Sequence, residues 1–596
     1  MERNELPAIR RRMEKRSYKN FDLAIYCPVA NVNMIKDFED FDRRFNKAFK
    51  NVKVGRVYLE DFRGYETCDR EHLIKVKEYF ENKGIATSGG ITTCASHNPK
   101  FGFASLCYSD EEAQKYLKEA VELNAEIFDE FIFDDFYFIN CRCPKCIEKK
   151  GARSWKEFRL EQKKWVTEEL IMKPAKAIRP DVNVIVKFPQ WFEDFNETGY
   201  DLATDTTMFD SIYTGTETRN PTYSQQHLPK YLSYNTMRLY GSDAPGHNLG
   251  GWFDPYECTY NLTSYTEQAY LTLFAKAPEV TLFCLGSLMM DPQFRVFPSV
   301  VGEALEEADE YLGELGNPIG AGAYHPSYGR GENNIHSYLG QCGIPMEMTL
   351  LYPENSQAVF LAESAAADRD IVNKMKKTLL SGNDVIVTSG FVSALGEEFK
   401  EFGNVSVTSK KALVDTYSIS LNSGVNLEGL IKGTGKIMIP QLDYNTNDVW
   451  EIAAAYGNDN NFPIVLSWSY GDGVISVVTI PDDMGDLYCY PGQVLKSIRD
   501  LFIKETKIST DAPAQVLLFP YDNNMLIVRS DLPNSETIKI TLPEGATELR
   551  NHFFRKALGN NMERQTQSDG STANSGKRTE VTISVIPGIN QVYEIV

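Results

Sequence analysis

The chain has 596 residues, more than one hydrophobic core usually serves, so two to four domains are expected. A net charge of -20 at pH 7 argues against a nucleic-acid surface and favours small or neutral ligands. No apolar window approaches the roughly 20 residues of a membrane helix, so no membrane association is expected. The basic start MERNELPAIRRRMEKRSYKN lacks the apolar core of a leader. It reads as cytoplasmic, or as periplasmic or secreted if a leader has been removed. Eleven cysteines, an odd number scattered through a long chain, fit reduced thiols better than a disulfide framework.

The first half alternates β-branched or aromatic runs with amphipathic, charged segments such as REHLIKVKEYFENK and DEEAQKYLKEAVELN. That alternation predicts repeated βα units. The strands expected in chain order are 21–28, 54–60, 84–92, 130–136, 182–188, 209–215, 249–254 and 280–286. Eight such units predict a (β/α)8 barrel over 1–315. After GELGNPIGAG the rhythm restarts with SQAVFLAE, DRDIVNKMKKTLLSG and NDVIVTSG, and ends in VLSWSYGDGVISVVTIP and GQVLKSIRDLFIKE. This predicts a flavodoxin-like α/β domain over 316–510. Beyond Pro513 only short alternating runs follow, which predict a C-terminal antiparallel β-sandwich over 511–596. The span GNNMERQTQSDGSTANSGKRTE reads as a polar, mobile loop.

A barrel of this type builds its site at the C-terminal ends of its strands, and those ends are unusually polar here. Glu60 and Arg63 close strand two, Asp134 and Asp135 strand four, Lys187 and Trp191 strand five, Glu217 and Arg219 strand six, and Trp252, Asp254 and Glu257 strand seven. His97, after the third strand, is expected either as a further hydroxyl ligand or as a solvated loop histidine. Carboxylates and arginines hydrogen-bond hydroxyls, indoles stack on pyranose C–H groups, and two of the acids can act as proton donor and as nucleophile or base. A sugar is the ligand such a set suits. The competing expectation is that acids at strand ends cap the following helices. Strand alternation predicts that Asp134 and Asp135 point in opposite directions, with only one facing the barrel mouth. Ser88-Gly89-Gly90 is too short for a phosphate loop and is expected to serve close packing. Cys342 sits in the wrong place for a nucleophile of the second domain.

Directly after the acid pair, Cys141, Cys143 and Cys146 stand at C-x-C-x-x-C spacing. Three thiolates so placed can share a tetrahedral zinc ion with a fourth ligand, for which the preceding βα connection offers Cys94 or Cys107.

Taken together, these motifs resemble the retaining (β/α)8 glycosidases, and among them the family 42 β-galactosidases. Those enzymes place an Asn-Glu acid/base pair at the end of strand four, followed closely by C-x-C-x-x-C, with an earlier cysteine completing a structural zinc site. Asp134-Asp135 stand where Asn-Glu would, and SLCYSDEEAQKYL puts Cys107 at the earlier position. The resemblance implies a structural zinc on Cys107, Cys141, Cys143 and Cys146, a trimerisation-like middle domain, and a homo-oligomer, trimer or dimer. The chain departs from the family in having Asp135 for the acid/base Glu, and in offering Asp254 and Glu257 of GGWFDPYEC in place of the nucleophile segment. Phrases such as VYLEDFRGYE and FDDF bring it nearer to barrel proteins described as hypothetical glycosyl hydrolases. The implied reaction is glycoside hydrolysis by two carboxylates, on an oligosaccharide or a glycan chain end, with Asp135 as general acid. Two other readings compete: an α-glycosidase with a strand-four Asp nucleophile and a proton donor from strand six or seven, and a non-catalytic carbohydrate-binding barrel.

Overall fold

All eight strands expected in the first half form, as β1 (Asp22–Cys27), β2 (Arg56–Arg63), β3 (Ala86–Thr92), β4 (Glu130–Phe133), β5 (Asn183–Phe188), β6 (Ser211–Gly215), β7 (Asn248–Phe253) and β8 (Glu279–Phe283). The computed structural model describes residues 16–95, 104–224, 228–421, 425–426, 429–457, 459–552 and 578–596. His97 and most of the polar span after residue 558 lie outside the described residues. The strands pair in parallel from one neighbour to the next, and β1 pairs with both β2 and β8, so the sheet closes into a barrel. Its interior is filled by Ala24, Tyr26, Tyr58, Ile132, Ile185, Tyr213, Leu249 and Trp252. At the N-terminal end Arg56 is buried between Glu130, at 2.9 Å, and Glu279, at 3.0 Å. The helices between strands begin at residues that cap them: Asp37, Asp69 and Asp110 each accept backbone N–H groups, and Ser154 forms a capping box with Glu157.

One local feature departs from expectation and another meets it. Strand β2 runs on to Arg63 because the turn at Gly64 (φ 58) and Tyr65 (φ 66) folds Glu66–Thr67 back onto it. Glu60 and Arg63 therefore sit on the strand and not in the loop after it. The Ser88-Gly89-Gly90 run does serve close packing: a Cβ on Gly89 would lie 1.8 Å from Asn124 Oδ1, and one on Gly90 would lie 2.8 Å from the Tyr26 hydroxyl.

Asp61 is turned away from Glu60 and is buried beside Asn124. One carboxylate oxygen, Oδ1, has no hydrogen-bond partner. Burial pushes its carboxyl well above the ordinary range, with the hydrogen bond to Asn124 only partly offsetting it. A folded pKa above the unfolded one means that folding takes up a proton. The contribution of Asp61 to stability is therefore full below the unfolded carboxyl pKa and declines as pH rises toward the folded value. Asp61→Asn supplies the neutral, isosteric group at every pH. It is expected to raise the melting temperature by roughly 2 to 4 °C at pH 8 and by less at pH 5, read by calorimetry.

The chain divides into two compact units, Met1–Gly313 and Glu314–Val596. The second contains a ten-stranded sheet. Its parallel part runs, in spatial order, Met346–Thr349, Ala321–Tyr324, Ala358–Leu361, Asp384–Thr388 and Gly473–Val478, the doubly wound order expected of a flavodoxin-like layer. Antiparallel strands extend it, including the long pair Val405–Leu421 and Ile431–Tyr444, which the sequence reading did not anticipate. Cys342, buried at the end of the first helix here, precedes the second strand, and burial pushes its thiol up to about 12. The last residues form a three-stranded and a four-stranded antiparallel sheet around one apolar core. Among the described residues no helix is long and apolar enough to cross a membrane.

Candidate active site

Strand β4 stops at Phe133, and the next residues turn: the Asp134 amide still donates to Ile91, and the Asp135 amide donates back to the Asp134 side chain at 2.8 Å. Because the pleat ends there, strand alternation no longer separates the two acids. Both meet the same ammonium, with Lys187 Nζ 2.9 Å from Asp135 and 3.5 Å from Asp134. The same nitrogen donates to Glu217, just beyond β6, at 2.5 Å. Asp134 also accepts from Arg63 at 3.0 Å, and Arg63 forks onto Glu60 at 2.9 and 3.0 Å. Glu60 is saturated by further bonds from the Tyr26 hydroxyl, the Val29 amide and the Thr92 hydroxyl. Neither Asp134 nor Glu217 caps a helix, so the capping expectation does not account for them.

These charges are unequal in what they do to one another. Burial opposes ionisation of Asp134, but Lys187 and Arg63 outweigh it and hold that carboxyl below its ordinary value. Asp135 is pushed up by burial, drawn back by Lys187, and pushed up again by the ionised Asp134. Its side chain is 25% exposed, the most accessible of the three acids around Lys187. Glu217 is buried, and burial raises its pKa to about 7, against the pull of Lys187 and with the charges of Asp135 and Asp254 adding. Its Oε2 has no hydrogen-bond partner. A fixed carboxylate, an accessible carboxylate and a carboxyl that titrates near neutrality thus surround one buried cation.

Arg219 forms a second cluster. Its guanidinium is bidentate to Asp254, at 3.0 and 2.9 Å, and reaches Glu257 at 3.3 Å. Gln268 ties the two loops together, accepting from the Arg219 amide and donating to the Asp254 carbonyl, each at 3.1 Å. Arg219 (φ 56) and Glu257 (φ 59) both hold left-handed backbone, a strained state that persists only where surrounding contacts enforce it. Of the two tryptophans expected to stack on sugar, Trp252 is 1% exposed and lies beneath the Lys187 ammonium, 4.4 Å from nitrogen to ring centroid. It floors the site and offers no open face. Trp191 is half-buried, edge-on to Phe195 and Tyr200 at 5.2 and 5.7 Å.

Beside this mouth the four cysteines converge. Cys143 stands at the N-cap of the helix Pro144–Lys150 and Cys146 within its first turn, which presents both sulfurs to one side. Cys107 Sγ lies 3.6 Å from each of them, and all four sulfurs fall within 4.8 Å of one another. Thiolates arranged tetrahedrally at about 2.3 Å from a metal are spaced about 3.8 Å apart, so this cluster is able to hold a metal ion. Of the two earlier cysteines that the spacing left open, the cluster takes Cys107.

Residues 10–301 match the family described as "Probable glycosyl hydrolase, catalytic domain", and 507–595 match "Probable glycosyl hydrolase, C-terminal domain". The barrel is a glycosyl hydrolase catalytic domain. The residues between, 316–483, match "Uncharacterized protein SSO3021, second domain". The Saccharolobus solfataricus protein of that name is 23% identical to the hydrolase over 570 residues, covering 88% of this chain and 93% of its own. Among solved structures, a β-galactosidase from Bacillus circulans sp. alkalophilus superposes with a TM-score of 0.62 at 11% identity, covering 97% of this chain and 100% of its own. An α-L-fucosidase isoenzyme 2 from Paenibacillus thiaminolyticus gives 0.64 at 12% identity, with 98% and 100% covered. At such identities the likeness is one of fold, a closed eight-stranded barrel followed by further α/β and antiparallel sheet domains. The protein is a glycoside hydrolase, and its substrate is a carbohydrate.

Several residues at the hydrolase's mouth went unnoticed in the sequence. Tyr200 donates its hydroxyl to the Asp135 carbonyl at 2.9 Å. The buried Lys163 sits 3.1 Å from the Tyr200 ring centroid and pairs with Asp205 at 3.2 Å. Lys163 belongs to QKKW, which reads as an ordinary solvated helix face. The only local hint is that one lysine of that run falls in register with Phe158 and Val166, on the buried side.

Proposed function

We propose that the hydrolase cleaves the terminal linkage of a short oligosaccharide or glycan chain with Glu217 as proton donor and Asp135 as nucleophile. The observation that carries this is the sharing of Lys187 Nζ by the two carboxylates, at 2.9 and 2.5 Å. One ammonium serves these two carboxylates and the ionised Asp134 together, and burial and the repulsion among the acids oppose a further charge, so at neutral pH the pair holds one proton. The more buried Glu217, near 7, keeps it, and the accessible Asp135 is left charged. The two bonded oxygens can be no farther apart than the sum of those distances. A separation within that bound agrees with the roughly 5 to 5.5 Å between the carboxyl groups of retaining enzymes.

Glu217 gives its proton to the glycosidic oxygen as the C1–O bond breaks, and Asp135 bonds to C1. Water then attacks C1, passes a proton to the Glu217 carboxylate, and releases Asp135. Asp134 and Arg63 keep Lys187 in place, while Arg219 with Asp254 and Glu257 meets sugar hydroxyls. The raised carboxyl of Asp135 favours the other order, with Asp135 as acid and Asp254 or Glu257 as nucleophile.

Azide separates the two orders. On a panel of activated aryl glycosides that starts from β-galactosides and α-L-fucosides, Asp135→Gly with azide is expected to release a glycosyl azide of inverted configuration, the mark of a lost nucleophile. An azide product of retained configuration would make Asp135 the acid instead. The reading also includes a cytoplasmic chain, the domain limits 1–315, 316–510 and 511–596, a homo-oligomer (trimer first, dimer second), and zinc at the cysteine cluster. About one zinc per chain is expected by metal analysis, and Cys143→Ser should lower the melting temperature more than it lowers turnover at a permissive temperature.

A further inference from the structure

Tyr223 and Tyr260 stack on each other with ring centroids 4.4 Å apart and planes 28° from parallel, yet they remain 53% and 74% exposed. They follow Arg219 and Glu257 by four and three residues in the loops after β6 and β7, at the C-terminal face where the site is built. The two loops are tied nearer the barrel by the Arg219–Glu257 and Gln268 contacts, and the tyrosines join them again farther out. Tight turns hold both rings: the Tyr223 amide donates to Asn220, and the Asn261 amide donates to Cys258. Two large rings pre-stacked at the surface retain outer faces that are apolar and open, with hydroxyl edges in water.

We propose that this pair is a platform for the sugar on the leaving-group side of the scissile bond, so that the substrate is an oligosaccharide and not a simple monosaccharide glycoside. A pyranose turns its axial C–H groups to one face, which packs on such a ring while its hydroxyls stay hydrated. The side follows from the proton donor. Glu217 must stand next to the departing oxygen, and the loop that carries Glu217 leads directly to Tyr223. The inference rests on that reading of Glu217.

The test compares two substrates of whichever sugar the aryl panel identifies. One is its glycosyl fluoride, whose leaving group is a single atom that cannot reach the platform. The other is a trisaccharide of the same sugar. For Tyr223→Ala and Tyr260→Ala the ratio of kcat/KM on the trisaccharide to that on the fluoride is expected to fall by roughly 5- to 10-fold, through KM. Tyr223→Phe and Tyr260→Phe keep the ring and should keep the ratio. A ratio that does not move in the alanine variants, or losses that are equal on both substrates, would overturn the platform. Failure of the underlying reading shows differently: Glu217→Gln would then lose as much on the fluoride as on the trisaccharide, whatever the tyrosine variants do.

Discussion

Glu217→Gln is expected to lose roughly 100- to 10,000-fold in kcat on substrates with poor leaving groups, and far less on activated aryl glycosides, whose departure needs little protonation. Gln keeps the shape and the bond from Lys187 but holds no acidic proton. The pH profile gives an independent readout. With Glu217 as acid near 7, activity of the wild type falls as pH rises through about 7, because the donor loses its proton. That alkaline limb should disappear in Glu217→Gln on activated substrates, while the acid limb, set by Asp135, stays. Retention of the alkaline limb in the variant would assign it to another group and remove Glu217 from the role.

Lys187→Met should have the largest effect on the folded state. Lys187 is buried in contact with Asp134, Asp135 and Glu217, and removal of one partner from a buried charged cluster typically costs about 3 to 5 kcal/mol. The loss should depend on pH. Without the ammonium, the folded carboxyl pKa values of Asp135 and Glu217 rise further above their unfolded values, and folding takes up protons. Stability is then fully present below the unfolded carboxyl range and is lost as pH rises through the folded values. The melting temperature of Lys187→Met should therefore lie close to wild type near pH 5 and well below it at pH 8. An equal deficit at both would mean that Lys187 acts by packing against Trp252 and not by charge.

The alternation of apolar and amphipathic segments was enough to place every strand of the barrel, because strands buried on both faces read as continuous apolar runs whatever their neighbours. The long ribbon Val405–Leu421 and Ile431–Tyr444 escaped for the opposite reason. Its exposed positions interrupt the run, and Gly433, Gly435 and Pro440 within the second strand are residue types that strands disfavour. At the mouth, residue type and strand-end position singled out Asp134, Asp135, Lys187, Glu217, Arg219, Asp254 and Glu257.

Their relations were another matter. Where β4 ends decides whether Asp134 and Asp135 diverge or meet one ammonium, and a strand's last residue depends on which neighbour still offers it a hydrogen bond. Glu217 titrates near neutrality only because closure of the sheet brings β4, β5 and β6 side by side and buries four charges together. Tyr200 reaches the Asp135 carbonyl from 65 residues away along the chain, and Lys163 packs on the Tyr200 ring. The sequence by itself determined the elements, the cysteine spacing and the kinds of charged group available. Which of those groups share a proton was decided by tertiary structure alone, since electrostatic coupling weakens with distance and strengthens with burial, and both are set by strand register and not by order along the chain.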